Sequence, residues 1–391
     1  MSTQTQDSIG AMVERWIRHE LPLINRGMDA HGDIHFLLDR CALPVEAIAH
    51  AASDVWDPRM ALSLLQLLAF PVSSVERHFQ MAGNAPGDGV TALRAAYTLL
   101  RLGEVAMHPP RDSQYTLWMR NSSDMPLMFI ASSFESMMIR VVRESQHLYE
   151  ISTAALRPMC NGDVNMTSAT AIDAMEFAAG NCDRITALAH GFLAPSIREC
   201  TSPAMQFASM ATSLSTYFVD YPVGVQTFPA PSLAALLGQT ELNLAIGLKD
   251  DMNVEAMRRD FVPCLLAEDR TRLERALEQT SIAARLAEAA GLTENDLVKM
   301  SDADVTHHLS TKSWLLRALR AFARLSASAD TSAAYMTLMK NCLRREPSSV
   351  PHEIGRMKTL VQTDDSYKTL PQSLSRPSNS AAYRLAAVAA I

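Results

Sequence analysis

The chain has 391 residues, 48% of them hydrophobic and 20% charged, with a formal net charge of -7, a balance that supports a large buried core and excludes a disordered chain. Lys and Arg are spread thinly, and no basic run is interleaved with aromatics, which argues against a nucleic-acid surface. The six cysteines (Cys41, Cys160, Cys182, Cys200, Cys264, Cys342) show no CxxC spacing, so neither a zinc knuckle nor a disulfide framework is indicated and a reduced cytoplasmic setting is expected; no run of about 18 apolar residues is present to span a membrane.

Taken in order, the hydrophobic period is helical almost throughout, and the expected class is all-α. Short helices over 9–26, 45–52, 59–79 and 90–101, broken by Pro44, Pro58, Pro71 and the Gly83 to Gly89 loop, make a small N-terminal unit covering 1–120. A large helical domain is expected over 121–370. Within it, Phe129, Phe134, Met137, Met138 and Val141 recur at helical spacing and predict a central helix over 127–156. Further helices are predicted over 169–191 and 203–218. The stretch 220–238 reads as a shaped loop, with Pro222 and Gly224, feeding a helix with an apolar face at Leu233, Leu236 and Leu237 that ends at Gly238. Helices over 252–290, 303–325 and, more weakly, 332–343 follow. A flexible tail covers 371–391, and its apolar part, 381–391, is placed to dock as a last helix or to fray.

Most constellations that could carry chemistry are sparse. Asp29, His31, Asp33 and His35 put two imidazoles at i and i+4, the spacing with which one helix face holds a metal, although Gly32 weakens that helix. Asp250, Asp251 and Glu255 suit an acidic helix start better than a metal-diphosphate site. No Gly-x-Ser-x-Gly elbow and no phosphate-cradling glycine loop is present, which disfavours covalent hydrolases and nucleotide-dependent enzymes. Two adjacent imidazoles, His307 and His308, stand on a helical stretch before Trp314. A histidine facing an apolar cavity from a helix is what the proximal side of a haem iron requires.

Four blocks in order extend that observation: the segment 102–121 with Pro109, Pro110 and Trp118; Leu127 to Glu135, with small and aromatic residues ahead of a glutamate; Pro222-Val-Gly-Val-Gln-Thr followed by the helix to Gly238; and Ala256-Met-Arg-Arg-Asp-Phe-Val-Pro263. With these the chain resembles the indoleamine and tryptophan 2,3-dioxygenase superfamily, which includes monodechloroaminopyrrolnitrin synthase. Counting on from the fourth block by the family's interval reaches His308. The resemblance implies a large helical bundle around a b-type haem, with an aromatic, indole- or tyrosine-like substrate of specialised metabolism oxidised by dioxygen bound to the iron. It makes His308 the iron ligand, with His307 as its substitute. Phe129, Ser132, Ser133 and Phe134 line the distal side, with the two serines in the catalytic position. Gly224, Gln226 and Thr227 form a wall, and Arg317 and Arg320 pair with the propionates.

Three departures from the family's pattern keep a second reading open. The family's carboxylate-holding arginine has no clear counterpart, Arg198 alone standing near Pro195; its late Gly-Thr-Gly-Gly loop has none between 344 and 370; and Gly291 and Asn295 interrupt the stretch that leads to His308. The alternative is a haem-free, non-catalytic helical binding protein that keeps the dioxygenase-like fold.

Overall fold

The structure is a computed structural model that describes residues 3–31, 33–52, 125–198, 217–221, 224–228, 237–247 and 267–344, together with positions 63, 67, 70, 71, 74, 75, 78, 258, 262, 265 and 385. The described residues are almost wholly helical, so the fold is all-α. Three long helices form its centre: α4 (Ser133–Asn161), α5 (Ala169–Arg198) and α11 (Leu316–Arg344). Around them lie α1 (Thr3–His19), α2 (Leu21–His31), α3 (Ile34–Ala52), α6 (Leu237–Ile246), α7 (Ala267–Glu278), α8 (Ile282–Ala289), α9 (Glu294–Lys299) and α10 (Asp302–Ser310).

The direction of the central helices follows from their contacts. Gly162, at φ 82, ends α4 in the left-handed conformation that glycine adopts freely, and Asp163 N donates to Pro158 O at 2.9 Å, closing the last turn. The chain then returns antiparallel as α5, where Asn181 Nδ2 donates to Ser152 Oγ at 3.1 Å. Helix α11 runs with α5: Arg324 meets Glu176 and Asp183, and farther along Tyr335 meets His190 with ring centroids 6.1 Å apart. It is therefore antiparallel to α4, and Tyr149 Oη donates to Ser332 Oγ across that pair. Small residues are frequent among the buried positions of these two packed helices, including Ala171, Ala178, Ala179 and Cys182 on α5 and Ala318, Ala321 and Ala329 on α11. They let the backbones approach closely, so the dispersion contacts of a dense interior form without long side chains.

Several predicted boundaries are corrected. The helix expected over 9–26 is two, α1 and α2, because Pro22 lacks the N–H that would carry the helix through Glu20. The helix expected over 45–52 begins earlier, at Ile34, and contains Pro44. The central helix begins at Ser133 rather than Leu127 and runs five residues beyond Leu156. The stretches 303–325 and 332–343 are divided differently: the chain breaks at Thr311 and Lys312, and α11 then runs through 326–331 without interruption. The serines and threonine there do not break it, since Thr331 Oγ1 donates to Ala327 O and Ser332 Oγ to Ala329 O.

The stretch 220–238 also differs from its reading. Its first part belongs to an antiparallel hairpin, β1 (Tyr217–Tyr221) and β2 (Gly224–Phe228), with Tyr221 opposite Gly224 and Tyr217 opposite Phe228. Tyr217 and Phe218 are thus in a strand rather than at the end of a helix. Gly238, expected to stop a helix, sits at the beginning of one. The remainder of the helices predicted over 203–218 and 231–238 lies outside the described residues, as does the one over 90–101.

Gly238 is where α6 is pressed onto α4. A Cβ there would lie 2.7 Å from Tyr149 Cβ and 3.0 Å from Gln146 Oε1, and Gly238 N donates to that Gln146 oxygen at 2.9 Å. Gln146 passes the contact on to Glu150 at 2.9 Å, and Arg272 of α7 joins Glu150, Glu241 and Asp269. Burial raises the Glu241 carboxyl and Arg272 lowers it, the first effect prevailing. Gly238→Ala is expected to lower the stability by about 1–3 kcal/mol, since Tyr149 Cβ is fixed to the α4 backbone and cannot turn aside. Gly180→Ala, at a helical position with nothing within 4 Å, is expected to be neutral or stabilising by up to about 1 kcal/mol. Urea unfolding of the two variants against the parent checks both.

Candidate functional site

Ser132 and Ser133 stand at the N-terminal end of α4. Ser132 is the helix cap, its Oγ accepting from Glu135 N at 3.1 Å, and Ser133 is exposed in the first turn. Phe129 is buried at 1% exposure, with its ring 4.8 Å from Phe70 between centroids. The side chain of Phe134 lies outside the described residues. The group that organises this segment is Glu135, the glutamate that closes the second sequence block. Its carboxyl group folds back to accept from Phe129 N at 2.6 Å and Ile130 N at 3.0 Å, and Ala131 adopts a φ of 50 where the chain turns. The signal was present as Ser132-x-x-Glu135, the spacing of a capping box, which marks a helix start.

The carbonyl of Phe129 accepts from Asn25 Nδ2 at 2.9 Å, and the same amide nitrogen reaches Ser74 Oγ at 3.0 Å. His78 Nε2 lies 3.2 Å from Asn25 Oδ1; because that oxygen only accepts, Nε2 carries the proton. All three polar side chains are buried. The N-terminal helices are thereby tied to the entry of α4 by satisfied hydrogen bonds, as buried polar groups require.

His307 is exposed on α10, and His308 is half-buried. His308 Nε2 donates to the carbonyl of Ala290, the cap residue of α8, at 2.9 Å. That bond leaves Nδ1 as the nitrogen with a free lone pair. Arg317 and Arg320 are exposed near the start of α11. Gly224, Gln226 and Thr227 lie on β2, opposite Tyr221, Val219 and Phe218; their side chains are outside the described residues. The first and fourth blocks, 102–121 and 256–263, fall there as well, apart from Arg258, which is exposed, and Val262, which is buried.

The proximal and distal candidates are not brought together. Tyr149 and Ser332 mark one level of the bundle. From it Ser133 is 16 residues toward one end along α4, and Arg317 is 15 residues toward the other along α11. At 1.5 Å per residue the two sets are separated by about 45 Å. His308 belongs with Arg317, because α8, to which it bonds, reaches the carbonyl of Cys160 at the far end of α4 through Arg285, at 3.3 Å. An axial ligand and a distal wall must face each other across one macrocycle. His308 and the Phe129 to Ser133 segment lie toward opposite ends of the bundle.

The metal spacing at His31 and His35 is likewise not realised on one helix. α2 ends at His31 and α3 begins at Ile34, with Asp33 Oδ1 accepting from the backbone N of His35 and of Phe36 at 3.0 and 3.2 Å. No group of three or more His, Cys, Asp or Glu side chains placed to hold a metal ion occurs among the described residues.

What the N-terminal helices do form is a cleft of about 550 Å³. One wall is a stripe of α2 and the residue before it: Glu20, Leu23, Ile24, Gly27 and Met28. The other is Asp33, which precedes α3, and Phe36 and Arg40 on it, three or four residues apart. Its volume falls in the range of small-molecule sites, and its lining is mainly apolar with a few charged groups. Leu23 and Phe36 remain 63% and 44% exposed. The sequence reading missed this site because the stripe is also what a buried helix face looks like.

No family model matches the chain, and no curated protein matches it in sequence.

Burial pushes the Glu135 carboxyl up to about 8, against the downward pull of the backbone N–H groups of Phe129, Ile130 and Ala131. The folded state then holds a proton that the unfolded chain releases near 4.5. The corresponding stability is fully present below 4.5 and is lost as pH rises to about 8, with a slope of up to about 1.4 kcal/mol per pH unit. Glu135→Gln is expected to flatten that slope. Urea midpoints of the two proteins between pH 5 and 9 measure it, and parallel curves would assign the pH dependence elsewhere.

Proposed function

We propose that the protein is a haem-free, non-catalytic helical binding protein that takes a small apolar molecule into the cleft between α2 and α3. The observation that carries this reading is the cleft itself, an apolar cavity in which a leucine and a phenylalanine stand exposed. Leaving Leu23 and Phe36 partly in water, at 63% and 44% exposure, forgoes burial worth about 1 kcal/mol for each side chain, a gain that a ligand recovers. The separation of His308 from the Phe129 segment supports the same reading, since it leaves those residues without a shared cofactor to act on. A cytoplasmic setting accords with it: Cys41, Cys160 and Cys182 are buried free thiols, and no helix among the described residues is long and apolar enough to cross a membrane.

The competing reading is the haem-dependent oxygenase acting on an aromatic substrate with dioxygen, and the four ordered sequence blocks favour it. One preparation decides between them. Protein expressed with abundant haem is expected to show no Soret band and to bind the neutral apolar dye Nile red with one-to-one stoichiometry, Leu23→Ala/Phe36→Ala weakening the dye at least fivefold. A Soret band that disappears in His308→Ala would return the chain to the oxygenase reading.

A further inference from the structure

The charges around the cleft go beyond its apolar shape and bear on what it takes. Glu20 precedes the first turn of α2, Asp33 precedes α3, and Arg40 stands on α3 beside Phe36. Among the described residues neither Glu20 nor Asp33 forms an ion pair. Arg40 is engaged instead with the face of Phe36, its guanidinium carbon 5.2 Å from the ring centroid, so its charge is partly directed to the aromatic quadrupole. Asp33 gives one carboxylate oxygen to the N–H groups of His35 and Phe36 and thereby answers the positive end of α3. Its second oxygen accepts no bond from the described residues. The carbonyl end of α2 closes the same side of the cleft and adds partial negative charge there.

Resting on the binding-protein reading, we propose that the cleft selects an organic cation: a small molecule with an apolar or aromatic body and an ammonium group. The body covers Leu23, Ile24, Met28 and the Phe36 ring, and the ammonium takes up the carboxylate charge of Asp33, with Glu20 adding to the negative potential from the other end of α2. An anion of the same shape meets those two carboxylates with only Arg40 in its favour. Because both carboxylates are reached by water, the selectivity is of the size of exposed ion pairs and is screened by salt.

Three probes of one shape separate the parts of this proposal: phenethylamine, phenethyl alcohol and hydrocinnamate, each titrated calorimetrically into the full chain at low and at high salt. The expected order is amine, alcohol, acid, with the amine about fivefold tighter than the alcohol at low salt and the preference reduced at high salt. Glu20→Gln/Asp33→Asn is expected to bring the amine to the level of the alcohol, since Asn caps α3 as well as Asp does and only the charge is removed. Equal binding of amine and alcohol, tighter binding of the acid, or a preference that survives in the double variant overturns the charge selection and leaves the apolar site standing. Failure of all three probes to bind overturns both the selection and the binding site it rests on.

Discussion

A carboxyl group with no access to water holds this structure together at one point. Glu135 lies in the first turn of α4 yet turns back on the chain that precedes it, taking the N–H groups of Phe129 and Ile130. Those donors are fixed by the bend at Ala131, and the bend in turn aims the Phe129 carbonyl at Asn25 and its ring at Phe70. A buried polar group without partners costs about 1–3 kcal/mol. Removing any member of this set therefore exposes the others to that cost, at the point where the N-terminal helices meet the entry to α4.

The helical class was legible because it depends on periodicity, which neighbouring side chains alone determine. Boundaries depend on hydrogen bonds at helix ends, and these were less visible. Ser132-x-x-Glu135 is a recognisable start, but the aromatic residues ahead of it continue the helical pattern and mask it. Ser326 to Ser332 has the composition of a linker, and only the close approach of α5 makes small hydroxyl-bearing residues the suitable ones for a helix there. The hairpin carries Tyr217, Val219 and Tyr221 in alternation, a strand signal in five residues, too short to outweigh the helical context on either side.

For the candidate site, order along the chain was legible and position in the fold was not. Aromatic and imidazole residues of the sort a haem pocket uses are present, but proximity along the sequence order of four blocks carries no information about the distance between helix ends. The direction of α11, antiparallel to α4, decides that distance, and it is set by side chains far from either candidate: Arg324 with Glu176 and Asp183, and Tyr149 with Ser332. The cleft between α2 and α3, by contrast, needs only local geometry. Its two stripes follow from helical spacing once Asp33 is seen to separate the helices.

Helix α2 belongs to two environments at once. One face lines the cleft, and from another Asn25 reaches Ser74 and the Phe129 carbonyl inside the core. A molecule that fills the cleft binds the folded arrangement of α2 and α3 and has no counterpart in the unfolded chain, so its binding energy is added to the free energy of opening that helix pair. Through Asn25 the same energy is felt at the entry to α4. Occupancy of the cleft would then be readable far from it, as slower amide exchange at Phe129 and Ile130.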